Sequence, residues 1–454
     1  MGYNKIIYEI VKDAEDLVNA KLKFLGINKK NEIVRLLTEI SKKEKISPED
    51  ILDDIDADKF THIKRSLLKR RFCDTFESIK EKDIYLPRIE LNKKDAQDLK
   101  KKRYYPKDVF IERSVKDTDL VFRTRKFFPD AKFHLIDSLK DFLKAFGKMK
   151  VSDYNFRRDK LFLVKEKFDF LKRCPCTKDA LGCGYNVLNV GIGCIFDCTY
   201  CFLQEYVNTP GIILPANLED FFKYFKKEYK GNFMRIGTGE FCDSLMLDDL
   251  TEYSKKLISF FQNYPNVIFE LKTKSNNVDN LIKTPHAGNI VIGFSMNPQS
   301  IAKGNEYFAA SIPQRLNAIK KCTEAGYLIA IHFDPVFLFD GWETEYKKLI
   351  KSIFEVIKPD DIAWISIGSL RFNPNTKKII EKRFPLNNIL DQELSLGYDQ
   401  KLRYSVKTRK HLYEQIILIL KEQYNFLPIY LCMEDVNMWR SLDLSMPKWP
   451  RCGS

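Results

Sequence analysis

The sequence contains no long hydrophobic run. Nowhere in its 454 residues does a stretch approach the roughly 20 consecutive apolar residues that a membrane-spanning helix requires. The first 17 residues carry acidic side chains inside their apolar pattern, which is not typical of a signal peptide. Histidine is also scarce, and its five copies show no zinc-binding spacing. The absence of a membrane-spanning run and of a signal-peptide pattern predicts a cytoplasmic protein.

Cysteine occurs in an odd number of copies, 11, of which six lie between residues 174 and 201. An odd and clustered set argues against the disulfide framework of a secreted protein. Cys73 and Cys322 fall within helical patterns and are predicted to be core residues. The clustered cysteines are instead candidates for metal ligands.

Acidic residues are outnumbered by basic ones, 62 against 76, so the net charge is +14 and the pI is near 9.0. Such an excess favours a polyanionic partner such as nucleic acid. Lysine is scattered along the whole chain, however, which is also typical of a lysine-rich proteome. The charge by itself leaves both interpretations open.

Three cysteines follow directly after an apolar segment. The stretch GCIFDCTYCFLQEY (193–206) holds Cys194, Cys198 and Cys201 in a Cys-x-x-x-Cys-x-x-Cys spacing. Soft sulfur ligands favour zinc or an iron–sulfur cluster. Closed structural zinc sites usually take four ligands in paired Cys-x-x-Cys knuckles. The spacing therefore indicates a 4Fe–4S cluster with one iron left open, the alternatives being a zinc knuckle or three buried thiols.

A strand and helix alternation begins near residue 187. Apolar, β-branched strands separated by amphipathic helices indicate a parallel sheet covered by helices. In such a fold the active residues cluster where the strands end. The predicted strands are 187–192, 234–240, 268–274, 290–297, 327–337 and 362–372, and the helices include 217–228, 248–262, 312–325 and 343–357.

Upstream of this region the pattern changes to helices alone. We expect a helical N-terminal domain at 1–98, in which Ser47 and Pro48 begin a helix. A basic helix near residues 64–72 has Leu67, Leu68 and Phe72 as its apolar seam, surrounded by the basic residues Lys64, Arg65, Lys69 and Arg71. These basic residues either contact DNA phosphates or form a solvated face. After a linker at 100–108, short strands at 108–115 and 132–137 flank a helix.

The cysteine loop resembles that of the radical S-adenosylmethionine enzymes, and in particular of the spore photoproduct lyase family. Gly193, Asp197, Tyr200, Leu203 and Gln204 carry the match. The resemblance extends from about 108 to about 415. It implies an α/β fold, with a βαβ lead-in at 106–185 and a partial (β/α)6 barrel with a C-terminal helical segment at 186–454.

The resemblance also implies the cofactor site. A glycine-rich strand end allows a ligand to approach the backbone closely, and a carboxylate there can hold an ammonium group. Gly239 and Glu240 match the family's element that binds the methionine amine of the cofactor. The alternative is a tight turn with a solvated acid. Lys274 and Ser295 stand at strand ends where the family contacts S-adenosylmethionine. An electron donor such as flavodoxin or ferredoxin is implied as well.

Two positions depart from the family. When the family is aligned with this chain on Arg235 and Asp243, the family's hydrogen-donating cysteine falls at Glu240. In this chain the nearest cysteine, Cys242, lies two residues further on. Alternation along an extended strand would put Cys242 on the same face as position 240, where the family has its donor. We therefore predict that Cys242 is the hydrogen donor. The alternative is that Cys242 is a packing residue. Phe202 replaces a tyrosine that assists hydrogen return, although Tyr200 is kept.

A second cysteine cluster, CPCTKDALGCGY (174–185), is absent from the lyase. Cys174, Cys176 and Cys183 are candidates for a further metal or iron–sulfur site, with Cys432 or Cys452 as fourth ligand. The alternative is a set of reduced thiols around a glycine turn. His332 either lines the barrel pocket or is a satisfied core histidine.

The resemblance implies a radical enzyme of the spore photoproduct lyase type, which repairs a thymine photoproduct in damaged DNA. In the family, the 5′-deoxyadenosyl radical abstracts a hydrogen atom from the lesion, and the crosslink then breaks. Two alternatives remain open from the sequence. One is a radical enzyme of the same fold that modifies RNA or a peptide, and the other is a nucleic-acid-binding protein with a non-catalytic cluster.

Overall fold

The computed structural model describes residues 3–56, 58–99, 104–167 and 172–445, with side chains from residue 7 onward. Cys452 and part of the linker predicted at 100–108 lie outside the described residues. The chain divides into two compact units, residues 1–97 with 370–409 and residues 98–369 with 410–454. Within the described ranges, no helix is both long enough and apolar enough to cross a membrane.

The first unit is a helical bundle with a small antiparallel sheet. Its core side chains, among them Ile33, Leu36, Ile51 and Leu67, come from the amphipathic faces of the helices. As expected, the Ser47 hydroxyl accepts a hydrogen bond from the N–H of Asp50 at the start of the third helix. The helices are Tyr3–Lys21, Ile27–Glu44, Pro48–Asp53, Phe60–Arg71 and Pro374–Arg383, and the strands Arg371–Phe372, Ser395–Leu396 and Leu402–Arg403. Short 3-10 turns lie at Glu81–Asp83 and Lys93–Asp95.

An ion-pair network ties residues 370–409 to the N-terminal helices. Glu39 accepts hydrogen bonds from Arg71 and Lys377, each at 2.8 Å, and Arg35 pairs with Glu381 through two nitrogens. Residues 370–409 therefore group with this unit, although the sequence analysis assigned them to the barrel. The network also buries Arg71, which had been predicted to surround the apolar seam of its helix.

Cys73 was predicted to be a core residue, but its side chain is exposed because the helix ends two residues earlier, at Arg71. Cys322, by contrast, is buried in the helix Ile312–Glu324, as predicted.

The second unit begins with a four-stranded parallel sheet. The predicted strands flanking a helix form as Asp108–Glu112 and Lys132–Ile136 around Asp119–Phe127. Two further strands, which the sequence analysis did not predict, complete the sheet on the other side of Asp108–Glu112: Lys160–Val164 and Ile212–Pro215. The helices Leu139–Phe146 and Val151–Asn155 and the 3-10 turns Arg113–Val115 and Arg157–Asp159 complete this region.

The larger sheet forms the barrel. Its parallel strands, called here the first to seventh barrel strands, are Tyr185–Val187, Met234–Gly237, Val267–Thr273, Ile290–Ser295, Leu328–Val336, Ile362–Ser369 and Ile429–Leu431. They neighbour one another in chain order, and Lys172–Arg173 pairs antiparallel with the first strand. Five strands match the prediction, the first differs from it, and the seventh adds a short edge.

The segment 274–289, after the third barrel strand, forms turns without a helix. Helices follow the first, second, fourth and fifth barrel strands, as the alternation predicted. Their bounds are Leu203–Tyr206, Leu218–Glu228, Asp248–Thr251, Tyr253–Phe261, Gln299–Asn305, Ile312–Glu324 and Trp342–Phe354. The chain also forms the helices Val406–Gln423 and Val436–Ser441, the 3-10 turn Pro359–Asp361, and a short antiparallel pair of Asp197–Cys198 with Glu306–Tyr307.

The first barrel strand differs from its predicted position. It was expected at 187–192 but ends at Val187, because the following apolar residues pair elsewhere. Ile192 forms an antiparallel bridge with Ile213, through N–H to C=O bonds of 3.0 and 2.9 Å. The apolar run is therefore buried against the lead-in sheet, and it carries the chain directly into the cysteine loop.

Candidate active site

The cysteine loop is held in place by hydrogen bonds to its own backbone. The guanidinium of Arg157 donates to the C=O groups of Cys194 and Phe196, at 3.2 and 2.7 Å. The side-chain amide of Gln204 donates to the C=O groups of Thr199 and Cys201, at 2.7 and 2.9 Å. Because these donors are buried, they fix the backbone from which all three thiols project.

Glycine is required where this loop begins. Gly193 has a φ of +85°, a left-handed conformation that most side chains avoid, and its N–H donates to the C=O of Phe241 at 2.8 Å. At the far side of the loop, the N–H of Thr199 donates to the C=O of Asn305 at 2.9 Å. The loop is thus joined to the chain segments that follow the second and fourth barrel strands.

The three thiols have the chemistry of a cluster site. Cys194 and Cys198 are buried and Cys201 is half-buried. Burial raises the pKa of each thiol, while the positive charge of Lys274 opposes this shift at Cys198 and Cys201. Deprotonation therefore requires a strong positive partner at the sulfurs, which a bound metal supplies.

The spacing of the sulfurs argues against a single zinc ion. In tetrahedral zinc sites the sulfurs lie about 3.8 Å apart, given Zn–S bonds of about 2.3 Å. Among the described residues, these three sulfurs belong to no group whose ligand atoms all lie within 4.8 Å of one another. At least one pair of these sulfurs is therefore more than 4.8 Å apart, and a cubane accommodates such a pair because each sulfur binds a different iron.

The residues predicted to bind S-adenosylmethionine lie at the carboxyl ends of the neighbouring strands. Lys274 directly follows the third strand, with its ammonium 5.8 Å from the ring centre of Tyr200. Ser295 ends the fourth strand and is buried. Gly239 and Glu240 follow the second strand, and burial raises the pKa of the Glu240 carboxyl. Apart from Asn189, at 3.5 Å, no hydrogen-bond partner of that carboxylate is found among the described side chains.

A buried network beside the cysteine loop was not predicted. The Tyr200 hydroxyl donates to the Glu306 carboxylate, which also accepts from Asn297 at 3.0 Å and from Arg315 at 2.5 Å. Burial alone would raise the pKa of Glu306, but Arg315 and Lys274 outweigh it and lower the pKa to about 2. Glu306 is therefore ionised and orients Tyr200. No sequence motif marks Glu306, since only the pairing of Glu306–Tyr307 with Asp197–Cys198 brings it here.

Cys242 does not lie on an extended strand. The second strand ends at Gly237 and the chain bends between residues 240 and 242, so the alternation argument for its position is wrong. Its thiol is buried, and its sulfur would lie 3.3 Å from a Cβ atom added at Gly191. Burial raises the pKa of this thiol. Cys242 is therefore a neutral thiol close to the start of the cysteine loop.

His332 is a paired core residue rather than part of an open pocket. Its Nε2 lies 2.6 Å from Glu270, whose other oxygen accepts from the Tyr185 hydroxyl at 2.5 Å. Burial lowers the pKa of His332, so the neutral imidazole donates to the carboxylate at pH 7. A Cβ atom at Gly293 would lie 2.2 Å from a Glu270 oxygen, so glycine is required for this packing.

A partial barrel of parallel strands, with a three-cysteine loop after its first strand, defines the class of radical S-adenosylmethionine enzymes. Within that class, the family model described as spore photoproduct lyase matches residues 147–417, more than half of the chain. The chain belongs to the spore photoproduct lyase family. This confirms the resemblance drawn from the cysteine loop.

Individual relatives are more distant. The spore photoproduct lyase of Geobacillus sp. (strain Y412MC61) is 29% identical over 199 residues, covering 42% of this chain and 58% of that protein. That of Bacillus subtilis (strain 168) is 29% identical over 209 residues, covering 44% and 61%. The matches thus span about three fifths of the length of these curated relatives.

The fold is also found in solved structures. Spore photoproduct lyase complexed with dinucleoside spore photoproduct has a TM-score of 0.62 and 22% identity, over 72% of this chain and 98% of that one. A mutant lyase with bound AdoMet and dinucleoside spore photoproduct has the same score and identity, over 74% and 100%. This likeness confirms the predicted partial barrel with its lead-in.

Proposed function

We propose that this protein is a radical S-adenosylmethionine lyase that repairs a thymine photoproduct in DNA. Cys194, Cys198 and Cys201 hold a 4Fe–4S cluster, and Gly239, Glu240, Lys274 and Ser295 bind S-adenosylmethionine beside it. When bound, the cluster and the cofactor would supply the radical chemistry that opens the lesion, while these residues would hold both groups in place. The observation that carries this proposal is the placement of the three-cysteine loop and Lys274 together at the strand ends.

The residues of the chain have distinct tasks in this reaction. Lys274 contributes positive charge beside thiols that must be ionised to bind iron. Glu240 offers a half-buried carboxylate for the amino group of the cofactor. Tyr200 is oriented by the ionised Glu306 and stays protonated, because burial and that carboxylate raise its pKa well above the ordinary value. It can therefore donate a hydrogen bond or a hydrogen atom within the site.

The first test is reductive cleavage of the cofactor. Anaerobically reconstituted protein should hold about four irons at this site and form 5′-deoxyadenosine under reducing conditions. The Cys194→Ala/Cys198→Ala/Cys201→Ala variant should lose both the reduced-cluster spectrum and the cleavage. Cys322→Ala, which removes a buried cysteine from the helix Ile312–Glu324, is the matched control and should retain both. Unchanged cleavage in the triple variant would rule out the assigned cluster site.

The second test concerns the substrate. Product analysis after incubation with ultraviolet-irradiated DNA should show restored thymines, with cofactor cleavage stimulated by the lesion. Irradiated RNA and peptides are the comparison substrates. Turnover of RNA or a peptide, with none on irradiated DNA, would contradict the proposed substrate while leaving the cluster chemistry intact. DNA binding without any cofactor cleavage would identify the protein as a non-catalytic binding protein.

The proposed partners are damaged DNA and a one-electron donor. The net charge of +14 supports a polyanionic substrate. A flavodoxin or ferredoxin is the proposed reductant, and each should support product formation when it replaces a chemical reductant. A cytoplasmic location remains a prediction from the sequence.

A further inference from the structure

The loop that precedes the first barrel strand binds the segment that follows the seventh. Ala180 forms an antiparallel bridge with Asp435, and the N–H of Leu181 donates to the C=O of Glu434 at 2.9 Å. The N–H of Thr177 lies 3.2 Å from the sulfur of Met433. These contacts join the two opposite ends of the barrel sheet, since the seventh strand forms one edge and Lys172–Arg173 the other.

Four cysteines lie along this junction, each with an anchored backbone. Cys174 donates its N–H to Tyr185 at 2.8 Å, and Cys176 donates to the C=O of Cys174 at 2.7 Å. The C=O of Cys183 accepts from Arg235 at 3.1 Å. Cys432 directly follows the seventh strand and donates its N–H to Ile367 at 2.8 Å.

Backbone contacts bring the four cysteines together. Cys176 directly precedes Thr177, whose N–H contacts the sulfur of Met433, and Met433 directly follows Cys432. Cys174, Cys183 and Cys432 are half-buried and Cys176 is exposed, so the group is open to solvent on one side. Four cysteines gathered at one junction form a candidate site for a metal centre with thiolate ligands.

We propose that Cys174, Cys176, Cys183 and Cys432 bind a second iron–sulfur cluster, distinct from the one at the cysteine loop. A set of four thiolates is the ligand set of both 2Fe–2S and 4Fe–4S clusters. The cluster links the loop before the first strand to the end of the seventh, and so closes the open side of the partial barrel.

The four sulfurs are not all as close together as the ligands of a single zinc ion. Among the described residues, no three of the four have sulfur atoms that all lie within 4.8 Å of one another. A zinc ion would require all four sulfurs at about 3.8 Å from each other, given Zn–S bonds of about 2.3 Å. Ligands bound to different irons are spaced more widely.

The test is carried out in the full chain without the first cluster, so that it does not depend on the proposed activity. Protein with Cys194, Cys198 and Cys201 replaced by Ala is reconstituted anaerobically with iron and sulfide, and its iron, zinc and absorption spectrum are measured. We expect about two or about four irons per chain, as the two cluster types require. Adding Cys432→Ser or Cys174→Ser to this background should remove that iron and its visible absorption.

Cys73→Ser in the same background is the matched control. The Cys73 sulfur lies within 4.8 Å of ligand atoms of Asp74 and Glu393 and is exposed, so it is the described site best placed to bind metal adventitiously. This variant should keep the iron. Absence of iron in the background protein, retention of iron in the Cys432→Ser variant, or one bound zinc in place of iron would each overturn the proposal.

A second measurement uses the unmutated chain, so its result does not depend on whether the variants fold. In the unmutated chain, thiol alkylation followed by peptide mapping should find Cys174, Cys176, Cys183 and Cys432 protected while iron is bound. All four should become reactive after anaerobic chelation of the iron. Equal labelling of Cys176 and Cys73, both exposed, before chelation would contradict a cluster at this junction.

Discussion

Lys274 is a cationic side chain that acts on two of the three thiols of the cysteine loop. It opposes the effect of burial on the pKa values of Cys198 and Cys201, and its own pKa is raised by Cys198 and Glu306 in spite of burial. Its amide N–H donates to Asp243 at 2.6 Å, so the backbone beneath the side chain is fixed. A side chain held in this way is suited to orienting a charged cofactor.

Replacing Lys274 by methionine tests this role, because the change keeps the length of the side chain and removes its charge. We expect the KM for S-adenosylmethionine to rise about tenfold, which corresponds to about 1.4 kcal/mol of lost binding. Lys283→Met, at an exposed position, should leave the KM unchanged. Steady-state formation of 5′-deoxyadenosine measures both, and an unchanged KM in Lys274→Met would place the cofactor elsewhere.

Cys242 is the candidate hydrogen donor, since a thiol has a weak S–H bond and this one is kept neutral by burial. The Cys242→Ala enzyme should still cleave the cofactor but should yield misquenched adducts in place of intact repaired product. Mass spectrometry of the products distinguishes the two results, with Cys322→Ala as the control. Clean turnover to the same product in Cys242→Ala would mean that the donor lies elsewhere, and Tyr200 would become the next candidate.

At the scale of elements, the helix Ile27–Glu44 is joined to Pro374–Arg383 by ion pairs. Burial alone would raise the pKa of Glu39, but Lys377, Arg71 and Arg35 together lower it far below its ordinary value. A carboxylate whose pKa is lowered by folding stabilises the fold above its unfolded pKa, and this contribution is lost as the pH falls.

The Glu39→Gln variant should therefore unfold more easily at neutral pH, by on the order of 3 kcal/mol, because three cations lose their shared partner. The difference from the unmodified protein should shrink as the pH falls below about 4.3, the ordinary pKa of glutamate. Urea unfolding followed by circular dichroism between pH 3 and 7 measures the effect. Glu49→Gln, which removes an exposed partner of Lys21, should change stability little at either pH. A pH-independent difference for Glu39→Gln would contradict the ion-pair explanation.

At the scale of the whole molecule, the excess of positive charge predicts salt-sensitive binding to DNA. The basic helix Phe60–Arg71 contributes fewer cations than its sequence implies, because Arg71 is buried and Lys64 pairs with Glu32 and Glu81. Arg65 and Lys69 remain exposed. Only these two of the four predicted basic residues are therefore available to contact phosphates.

Binding to duplex DNA should weaken as salt rises. If both Arg65 and Lys69 contact phosphate, the Arg65→Gln/Lys69→Gln variant should have a slope of log affinity against log salt that is shallower by about 1.8. Fluorescence anisotropy between 50 and 200 mM salt measures the slope. Neutralising two exposed lysines of the second unit, Lys283 and Lys303, controls for net charge alone. An equal change in both variants would show that the basic helix has no special part. Deleting residues 1–95 is a poorer test, because it would leave Glu381 and Lys377 without their partners.

The sequence by itself determined the class of fold and the family, and it predicted the cluster ligands. Cysteine spacing, strand alternation and strand-end residues are local patterns, and Cys194, Cys198 and Cys201 come from one short loop. The bounds of the third strand, predicted at 268–274 and found at Val267–Thr273, show how closely an apolar β-branched run defines a buried strand.

Only the tertiary structure decided the features that depend on distant residues. Glu306 reaches Tyr200, and Thr177 reaches Met433 beside Cys432, through contacts between segments more than 100 residues apart in the chain. The same holds for residues 370–409, which join the N-terminal helices through Arg35 and Glu39 rather than the barrel that precedes them. The extended path assumed for Cys242 failed because the strand ends at Gly237. Local periodicity has no information on which distant side chains satisfy a buried charge, and it is this pairing that determines how the segments assemble.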